Sequence, residues 1–243
     1  MGRIHVGTSG WSYAHWKGPF YPESLPAGEM LAAYAARLAS VEANGFFYGL
    51  PPPGAVARWH DRTPAGFVFA VKASRYLTHI KKLTDPAEPV ARLLEATAGL
   101  GPKLGPVLLQ LPPRWKPDAA RLDAALAAFP PGQRLAVEPR DPRWVEDAAV
   151  DRVLRRHGAA FCVYELAGYH APWRLTADFG YVRLHGPGPG RYQGRYDMDR
   201  LRAVADRLRR WRDQGADAYC YFDNDEHGFA AQNAVELRAL LEA

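Results

Sequence analysis

Eight short apolar runs, most of them separated by helix-like stretches, recur along the chain, and each run ends in or is directly followed by a polar or charged residue. The runs are short and rich in valine, leucine and aromatic residues, which is typical of buried strands rather than helices. They cover residues 4–7, 41–44, 68–72, 107–110, 135–138, 160–164, 181–185 and 218–222. Strands that alternate with helices pair in parallel through right-handed crossovers. The sequence therefore predicts an α/β fold with a parallel sheet.

The number of strand–helix units and the chain length together favour a closed sheet. The chain has 243 residues, which is typical of one complete (β/α)8 domain. We predict a single-domain (β/α)8 TIM barrel over residues 1–243. An open, doubly wound sheet is the alternative, because periodicity alone does not show closure. The one weak unit is the segment 168–179, where an irregular connection is predicted instead of a helix.

The polar ends of the runs predict where the protein acts. In a (β/α)8 barrel the chemistry lies at the carboxyl ends of the strands, which share one mouth. Side chains alternate along a strand, and an unpaired charge on the helix-facing side would be costly. Charged pairs two residues apart are therefore expected to point into the barrel. These pairs are Glu42 with Asn44, Glu138 with Arg140, and Arg183 with His185. The alternative is a set of internal ion pairs that only closes the top of the barrel.

The candidate site residues combine cations with carboxylates. Arginine and lysine suit a phosphate or carboxylate group, whereas carboxylates suit general base catalysis or a hard divalent metal ion. The candidate catalytic residues are Glu42, Lys72, Glu138, His185 and Asp223. The candidate substrate-binding residues are Trp11, Asn44, Tyr48, His79, Gln110, Arg140, Arg183, Tyr192 and Asn224. A divalent metal is possible, but the sequence assigns neither a metal nor a ligand set. The segment 186–192 is interpreted as either a lid over the mouth or a plain connector.

Several other classes of protein are excluded or disfavoured by the sequence. It contains no Gly-x-Ser-x-Gly elbow, no P-loop, no dinucleotide fingerprint and no His-Glu-x-x-His motif. No apolar stretch approaches the length of roughly 20 residues that a membrane-spanning helix needs. The start of the chain lacks the apolar core of a signal peptide, so a cytoplasmic location is expected. The net charge of +5 permits an anionic partner without requiring one.

A series of motifs, in order along nearly the whole chain, resembles the YecE-like family, known as domain of unknown function 72. Four of them are His5-Val6-Gly7-Thr8-Ser9-Gly10-Trp11, Glu42-Ala43-Asn44, Arg183-Leu184-His185-Gly186 and Tyr221-Phe222-Asp223-Asn224-Asp225. The resemblance implies a (β/α)8 barrel but no established activity. The barrel is similar to that of sugar isomerases and of endonuclease IV, a likeness of fold only. The chain departs from the family pattern at Gly45 and Phe46, usually Ser-Thr, and at Pro139 and Asp141, usually Phe and His.

Three hypotheses for the function follow. The first is a hydrolase that acts on a phosphate ester, in a small molecule or in nucleic acid, at the strand-end mouth. The second is an isomerase or lyase that acts on a sugar or sugar phosphate. The third is a non-catalytic barrel that binds nucleic acid or a metabolite. Each implies a small anionic or phosphorylated ligand, or nucleic acid, and none implies a membrane.

Overall fold

The computed structural model describes residues 1–242 and contains one mixed sheet. Its strands are β1 (Ile4–Thr8), β2 (Ser40–Ala43), β3 (Val68–Lys72), β4 (Leu104–Gln110), β5 (Leu135–Glu138), β6 (Ala160–Leu166), β7 (Tyr169–His170), β8 (Phe179–Leu184) and β9 (Asp217–Phe222). All except β7 pair in parallel, in the order β1-β9-β8-β6-β5-β4-β3-β2, and β7 pairs antiparallel with β6. The eight parallel strands lie at the eight predicted positions, with small differences at their ends.

Helices surround the sheet. They are α1 (Met30–Ala35), α2 (Gly45–Tyr48), α3 (Ala55–Asp61), α4 (Ala87–Thr97), α5 (Ala119–Ala127), α6 (Pro142–Glu146), α7 (Ala148–Arg156), α8 (Met198–Asp213) and α9 (Phe229–Glu242). Between β6 and β8 only the two-residue strand β7 forms and no helix does, which confirms the irregular connection predicted for 168–179. No helix within residues 1–242 is long and apolar enough to cross a membrane.

The barrel closes between β1 and β2 through few backbone contacts. Ser9 and Glu42 form an isolated parallel bridge, and the Gly10 amide donates to the Glu42 carbonyl at 2.8 Å. Below this bridge the buried Tyr34 hydroxyl lies between the strands. It accepts a hydrogen bond from the Thr8 amide at 2.9 Å and donates one to the Ser40 carbonyl at 2.9 Å. The Tyr34 side chain thus replaces part of the backbone hydrogen bonding that β1 and β2 lack. The predicted (β/α)8 barrel is confirmed.

The strand side chains sort into two buried layers, as their alternation requires. The larger layer packs between the strands and the helices, and Val41, Val137 and Val182 belong to it. The smaller layer fills the barrel interior and consists mainly of Ala70, Leu108, Ala136, Cys162, Tyr181 and Tyr221. Three charged residues each follow an interior residue of the same strand by two positions: Lys72, Glu138 and Arg183. The same alternation therefore directs their side chains into the barrel.

Two strand predictions extend one residue too far. Strand β2 ends at Ala43 and β8 ends at Leu184, so Asn44 and His185 follow their strands instead of ending them. Asn44 instead precedes the first residue of α2. The His185 amide still donates to the Glu165 carbonyl at 3.2 Å. The backbone ladder between β6 and β8 therefore continues for one hydrogen bond beyond the end of β8.

Candidate functional site

Arg183 lies at the centre of an ionic cluster inside the mouth of the barrel. Its Nε and Nη2 donate to the Glu42 carboxylate at 2.9 and 2.8 Å, and its Nη1 donates to Glu138 at 2.8 Å. Its Nη2 also donates to the Ser9 hydroxyl and to Asp223, each at 2.9 Å. Burial disfavours this charge, but the three carboxylates outweigh it and raise the pKa of Arg183 above its usual range. The guanidinium therefore joins the ends of four separate strands.

Glu42 and Glu138 are fully buried and have no oxygen left for a ligand. The Tyr181 hydroxyl donates to Glu42 Oε2 at 2.7 Å, and the Ser9 hydroxyl donates to Glu42 Oε1. Glu138 Oε1 accepts a hydrogen bond from Arg140. Burial opposes ionisation of Glu138, but the charges of Arg140 and Arg183 hold its pKa well below the usual value. Both carboxylates therefore act as fixed counter-charges.

His185 is buried beneath the arginines and has its tautomer set by them. Its Nε2 lies 3.0 Å from Arg140 Nη2 and 3.3 Å from Arg183 Nη1. Because a guanidinium can only donate, Nε2 accepts and the ring proton is on Nδ1. Nδ1 lies 2.9 Å from Asp223 Oδ2, although the alignment is too poor for a hydrogen bond. His185 thus supports the arginines and does not face the solvent.

Asp223 differs from the other two carboxylates of the cluster. Its side chain is 17% exposed, whereas those of Glu42 and Glu138 are fully covered. Its Oδ2 accepts from Arg183, while its Oδ1 has no hydrogen-bond donor among the described residues. Burial opposes the charge, but Arg183 outweighs this effect and the pKa of Asp223 lies below its usual value. Asp223 is therefore the carboxylate that presents an ionised oxygen to the mouth.

Lys72, at the end of β3, has no ionic partner among the described residues. Its side chain is buried, with its Nζ 4.0 Å from the centroid of the Phe47 ring, and no carboxylate of the described residues lies within 4 Å of it. Lys72 therefore makes no ion pair with Glu42, since Arg183 occupies that carboxylate. Burial lowers the pKa of Lys72 to about 8, and the nearby Arg183 charge adds to this effect.

A cavity of about 350 Å³ lies beside this cluster, on the side of β4, β5 and β6. Clefts of similar size, about 320 to 470 Å³, lie elsewhere on the surface, so the lining and not the volume distinguishes this one. Its polar lining consists of His79, Gln110, Arg140, Tyr164, Tyr169, Arg191 and Tyr192. Burial lowers the pKa of His79 to about 4, and the charges of Lys72, Arg75 and Arg140 contribute. Arg140 and Arg191 in the lining supply positive charge that suits an anion.

The segment 186–192, predicted to be a lid or a connector, is held at its base. The Gly186 amide donates to the Tyr196 hydroxyl at 2.9 Å, and the Gly194 amide donates to Glu226 at 3.0 Å. Tyr192, further along, packs edge-on against His185 with ring centroids 5.5 Å apart. The aromatic ring thus covers the imidazole at the cavity wall. The choice between lid and connector stays a prediction.

Other predicted binding residues lie away from the cavity. Trp11 packs in the helix-facing layer, with its ring 5.0 Å from that of Trp59. Asn224 is buried and donates to the Gly194 carbonyl at 2.9 Å, so it positions the loop after β8. Tyr48 is 83% exposed and borders an apolar groove outside the mouth. Asn44 has a buried side-chain oxygen without a donor among the described residues. For these four side chains a contact with substrate stays a prediction.

The structure also shows contributors that the sequence did not single out. Tyr181 donates to Glu42. It lies two residues before Arg183 on the same face of β8, so the alternation of side chains along a strand predicts that it also points into the barrel. Asp141, where the family usually has histidine, accepts from the Arg143 amide at 3.1 Å and begins α6. Asp141 therefore has a structural role in this chain.

The donor set offers little for a divalent metal ion. Within residues 1–242, no three His, Cys, Asp or Glu side chains are arranged as a metal site. The oxygens of Glu42 and Glu138 already bind arginine, and His185 Nε2 accepts from two guanidinium groups. A metal ion at the mouth would have to displace these cations.

The fold and site define a (β/α)8 barrel protein with an arginine-centred ionic cluster at the carboxyl ends of its strands. The chain belongs to the family described as "Protein of unknown function DUF72", whose match covers residues 5–243. It is 28% identical to the UPF0759 protein YecE of Escherichia coli K12 over 69% of the chain. That match spans 61% of the length of YecE. It is 25% identical to the UPF0759 protein YunF of Bacillus subtilis, over 98% of the chain and 95% of YunF.

Solved structures of the same family have the same fold. A DUF72 family protein from Thermotoga maritima is 30% identical and superposes with a TM-score of 0.88, over 99% of this chain and all of that one. A DUF72 family protein from Enterococcus faecalis is 19% identical, with a TM-score of 0.84, over 99% of this chain and 96% of that one. The Thermotoga maritima protein supports the family, both structures support the fold, and their names assign no activity.

Proposed function

We propose that the protein binds a small phosphorylated sugar or a related carbonyl compound at the mouth and acts on it as an isomerase or lyase. The observation that carries the proposal is the pair of unsatisfied charges there. Lys72 has no ionic partner, and Asp223 has a free carboxylate oxygen. They are close enough for the charge of each to shift the pKa of the other. Isomerases and lyases of sugars need such a proton acceptor beside an electrophile.

The adjacent cavity supports an anionic group on the substrate. Arg140 uses Nε and Nη2 within the cluster, and its Nη1 has no partner among the described residues. Arg191 lines the same cavity. Arginine binds phosphate through paired hydrogen bonds. The volume of about 350 Å³ suits a small metabolite.

The hydrogen bonds of the ionic cluster favour Asp223 over Glu42 and Glu138 as the base. Glu42 and Glu138 are candidate catalytic carboxylates in the sequence, but both are bound by arginine. Asp223 takes that role, because its Oδ1 is free to accept a proton from a bound substrate. In this proposal Glu42 and Glu138 only hold Arg183 in place.

The phosphate-ester hydrolase hypothesis has less support. It needs either a metal cluster or a free nucleophile with its base. Residues 1–242 contain no three-ligand cluster, and the base nitrogen of His185 is occupied. The hypothesis stays a prediction, as does the non-catalytic barrel, and the same assay separates all three.

The test is proton exchange in D2O with a panel of aldose and ketose phosphates, followed by NMR. Isomerisation or cleavage and recondensation places deuterium on the carbon beside the carbonyl. Asp223→Asn should lose this exchange, whereas the matched exposed variant Asp199→Asn should retain it. Release of inorganic phosphate without deuterium incorporation would instead support the hydrolase. Binding without either product would support the non-catalytic barrel and overturn the proposal.

A further inference from the structure

Lys72 is placed and surrounded as a nucleophile rather than as a structural cation. It lies at the carboxyl end of β3, where barrel enzymes carry their reactive groups. Its side chain is 8% exposed, so its amine is held in place and still reaches the mouth. The other deeply buried lysine, Lys103, contrasts with it. Lys103 donates to the His60 and Thr63 carbonyls and to the Thr63 hydroxyl, so its amine is fully used.

We propose that Lys72 forms a covalent imine with the carbonyl carbon of the substrate, an inference that rests on the proposed function and names its chemistry. The environment favours a reactive amine. The Phe47 ring and the surrounding barrel remove water from Nζ, and the Arg183 guanidinium lies close enough to disfavour a second positive charge. Both effects increase the fraction of neutral amine, which is the nucleophilic form.

The covalent step uses only the substrate, water and groups of the protein. The neutral amine of Lys72 attacks the carbonyl carbon, a C–N bond forms, and the carbonyl oxygen takes up a proton. A second proton lets that oxygen leave as water, which produces an iminium cation. Asp223 Oδ1 then removes a proton from the substrate, and the electron pair moves into the iminium. Protonation of the resulting enamine and addition of one water release the product and restore the amine.

Nearby carboxylates offset part of the repulsion between the positive iminium and Arg183. Three carboxylates, Glu42, Glu138 and Asp223, surround the guanidinium of Arg183, and the charge of each also acts on Lys72. The substrate class that follows is an aldehyde or ketone with an anionic group a short chain away, because His79 and Arg140 line the cavity and the charge of Lys72 acts on His79. A phosphate monoester without a carbonyl would bind there but not react.

The experiment is reductive trapping on the full chain. The protein is incubated with glyceraldehyde 3-phosphate and sodium borohydride, and the adduct is located by intact mass and peptide mapping. The chain contains six lysines, so competition is limited: Lys17, Lys72, Lys81, Lys82, Lys103 and Lys116. The expected result is a single substoichiometric adduct on Lys72. Lys72→Arg should lose it at least tenfold, while the exposed control Lys116→Arg should keep it.

A parallel arm uses glyceraldehyde without phosphate, which separates the two proposals. Trapping of both aldehydes on Lys72 supports the imine, and a preference for the phosphorylated one supports the anion subsite as well. Trapping on Lys72 with no proton exchange in the sugar-phosphate panel would overturn the proposed function but retain the nucleophile. Proton exchange that survives in Lys72→Arg, or adducts spread evenly over the exposed lysines, would overturn the imine.

Discussion

Arg183 donates two hydrogen bonds to the Glu42 carboxylate, from Nε at 2.9 Å and from Nη2 at 2.8 Å, across the interior of the barrel. The two residues lie on β8 and β2, which are not neighbours in the sheet. The pair therefore ties together strands that the backbone ladder does not join. Because both side chains are buried, either one alone would be an uncompensated charge in a low-dielectric interior.

Removing the guanidinium should destabilise the fold strongly. Arg183→Met leaves the buried carboxylates of Glu42 and Glu138 without their counter-charge, and the expected loss is about 3–5 kcal/mol in the free energy of unfolding. Urea denaturation measures it. Arg92→Met removes an exposed pair with Glu88 and should cost about 0–1 kcal/mol. Equal losses in the two variants would contradict the central role of Arg183.

The Tyr34 hydroxyl should be required for closure of the barrel. Tyr34→Phe deletes the acceptor for the Thr8 amide and the donor to the Ser40 carbonyl, and both backbone groups are buried. The expected cost is about 1–3 kcal/mol, with faster hydrogen exchange at the Thr8 amide. Tyr48→Phe, at a ring that is 83% exposed, is the control. Unchanged exchange at Thr8 would show that the seam does not depend on the hydroxyl.

The same seam leaves no room for a side chain at Gly7. A Cβ there would lie 2.0 Å from the Ser40 carbonyl oxygen, which belongs to the backbone and cannot move aside cheaply. Gly7→Ala is therefore expected to cost about 3 kcal/mol or more, as overpacked sites do. Gly45→Ala meets nothing within 4 Å and should be neutral or slightly stabilising. The melting temperatures of the two variants check this contrast.

The convergence of the ionic residues could be predicted from the sequence, because it follows from strand period and parallel pairing alone. Glu42, Glu138 and Arg183 meet at one mouth as that reasoning requires. The identity of the partners could not be predicted. Whether Glu42 binds Arg183 or Lys72 depends on the placement of each side chain, which no periodicity encodes.

The directions of side chains in the loops after the strands were also harder to predict from the sequence. Beyond the last ladder bond the period of two no longer fixes side-chain direction. Trp11 follows β1 but turns into the helix-facing layer, whereas Tyr192 reaches the cavity. The closure of the barrel through the Tyr34 hydroxyl also could not be predicted from the sequence. That hydroxyl belongs to α1, 26 positions after Thr8, and no pattern in the sequence links the two residues.

Lys72 should reduce the stability of the folded protein at neutral pH. Its pKa is lowered to about 8, from an ordinary value of 10.5, by burial and by Arg183. Below pH 8 both folded and unfolded chains carry the proton, but the folded chain holds it less favourably. Between pH 8 and 10.5 the unfolded chain still binds the proton and the folded chain does not, so the wild type gains stability as the pH rises.

Lys72→Met lacks this titration and should be more stable than the wild type at pH 7, by about 1–3 kcal/mol after the lost contact with Phe47 is counted. The advantage should shrink steadily when urea denaturation is repeated between pH 7.5 and 9.5. Lys103→Met removes three donated hydrogen bonds and should be destabilised instead. If Lys72→Met were also destabilised, the amine would have a structural role. A stabilised variant that traps no aldehyde would indicate that this lysine lowers stability in favour of reactivity.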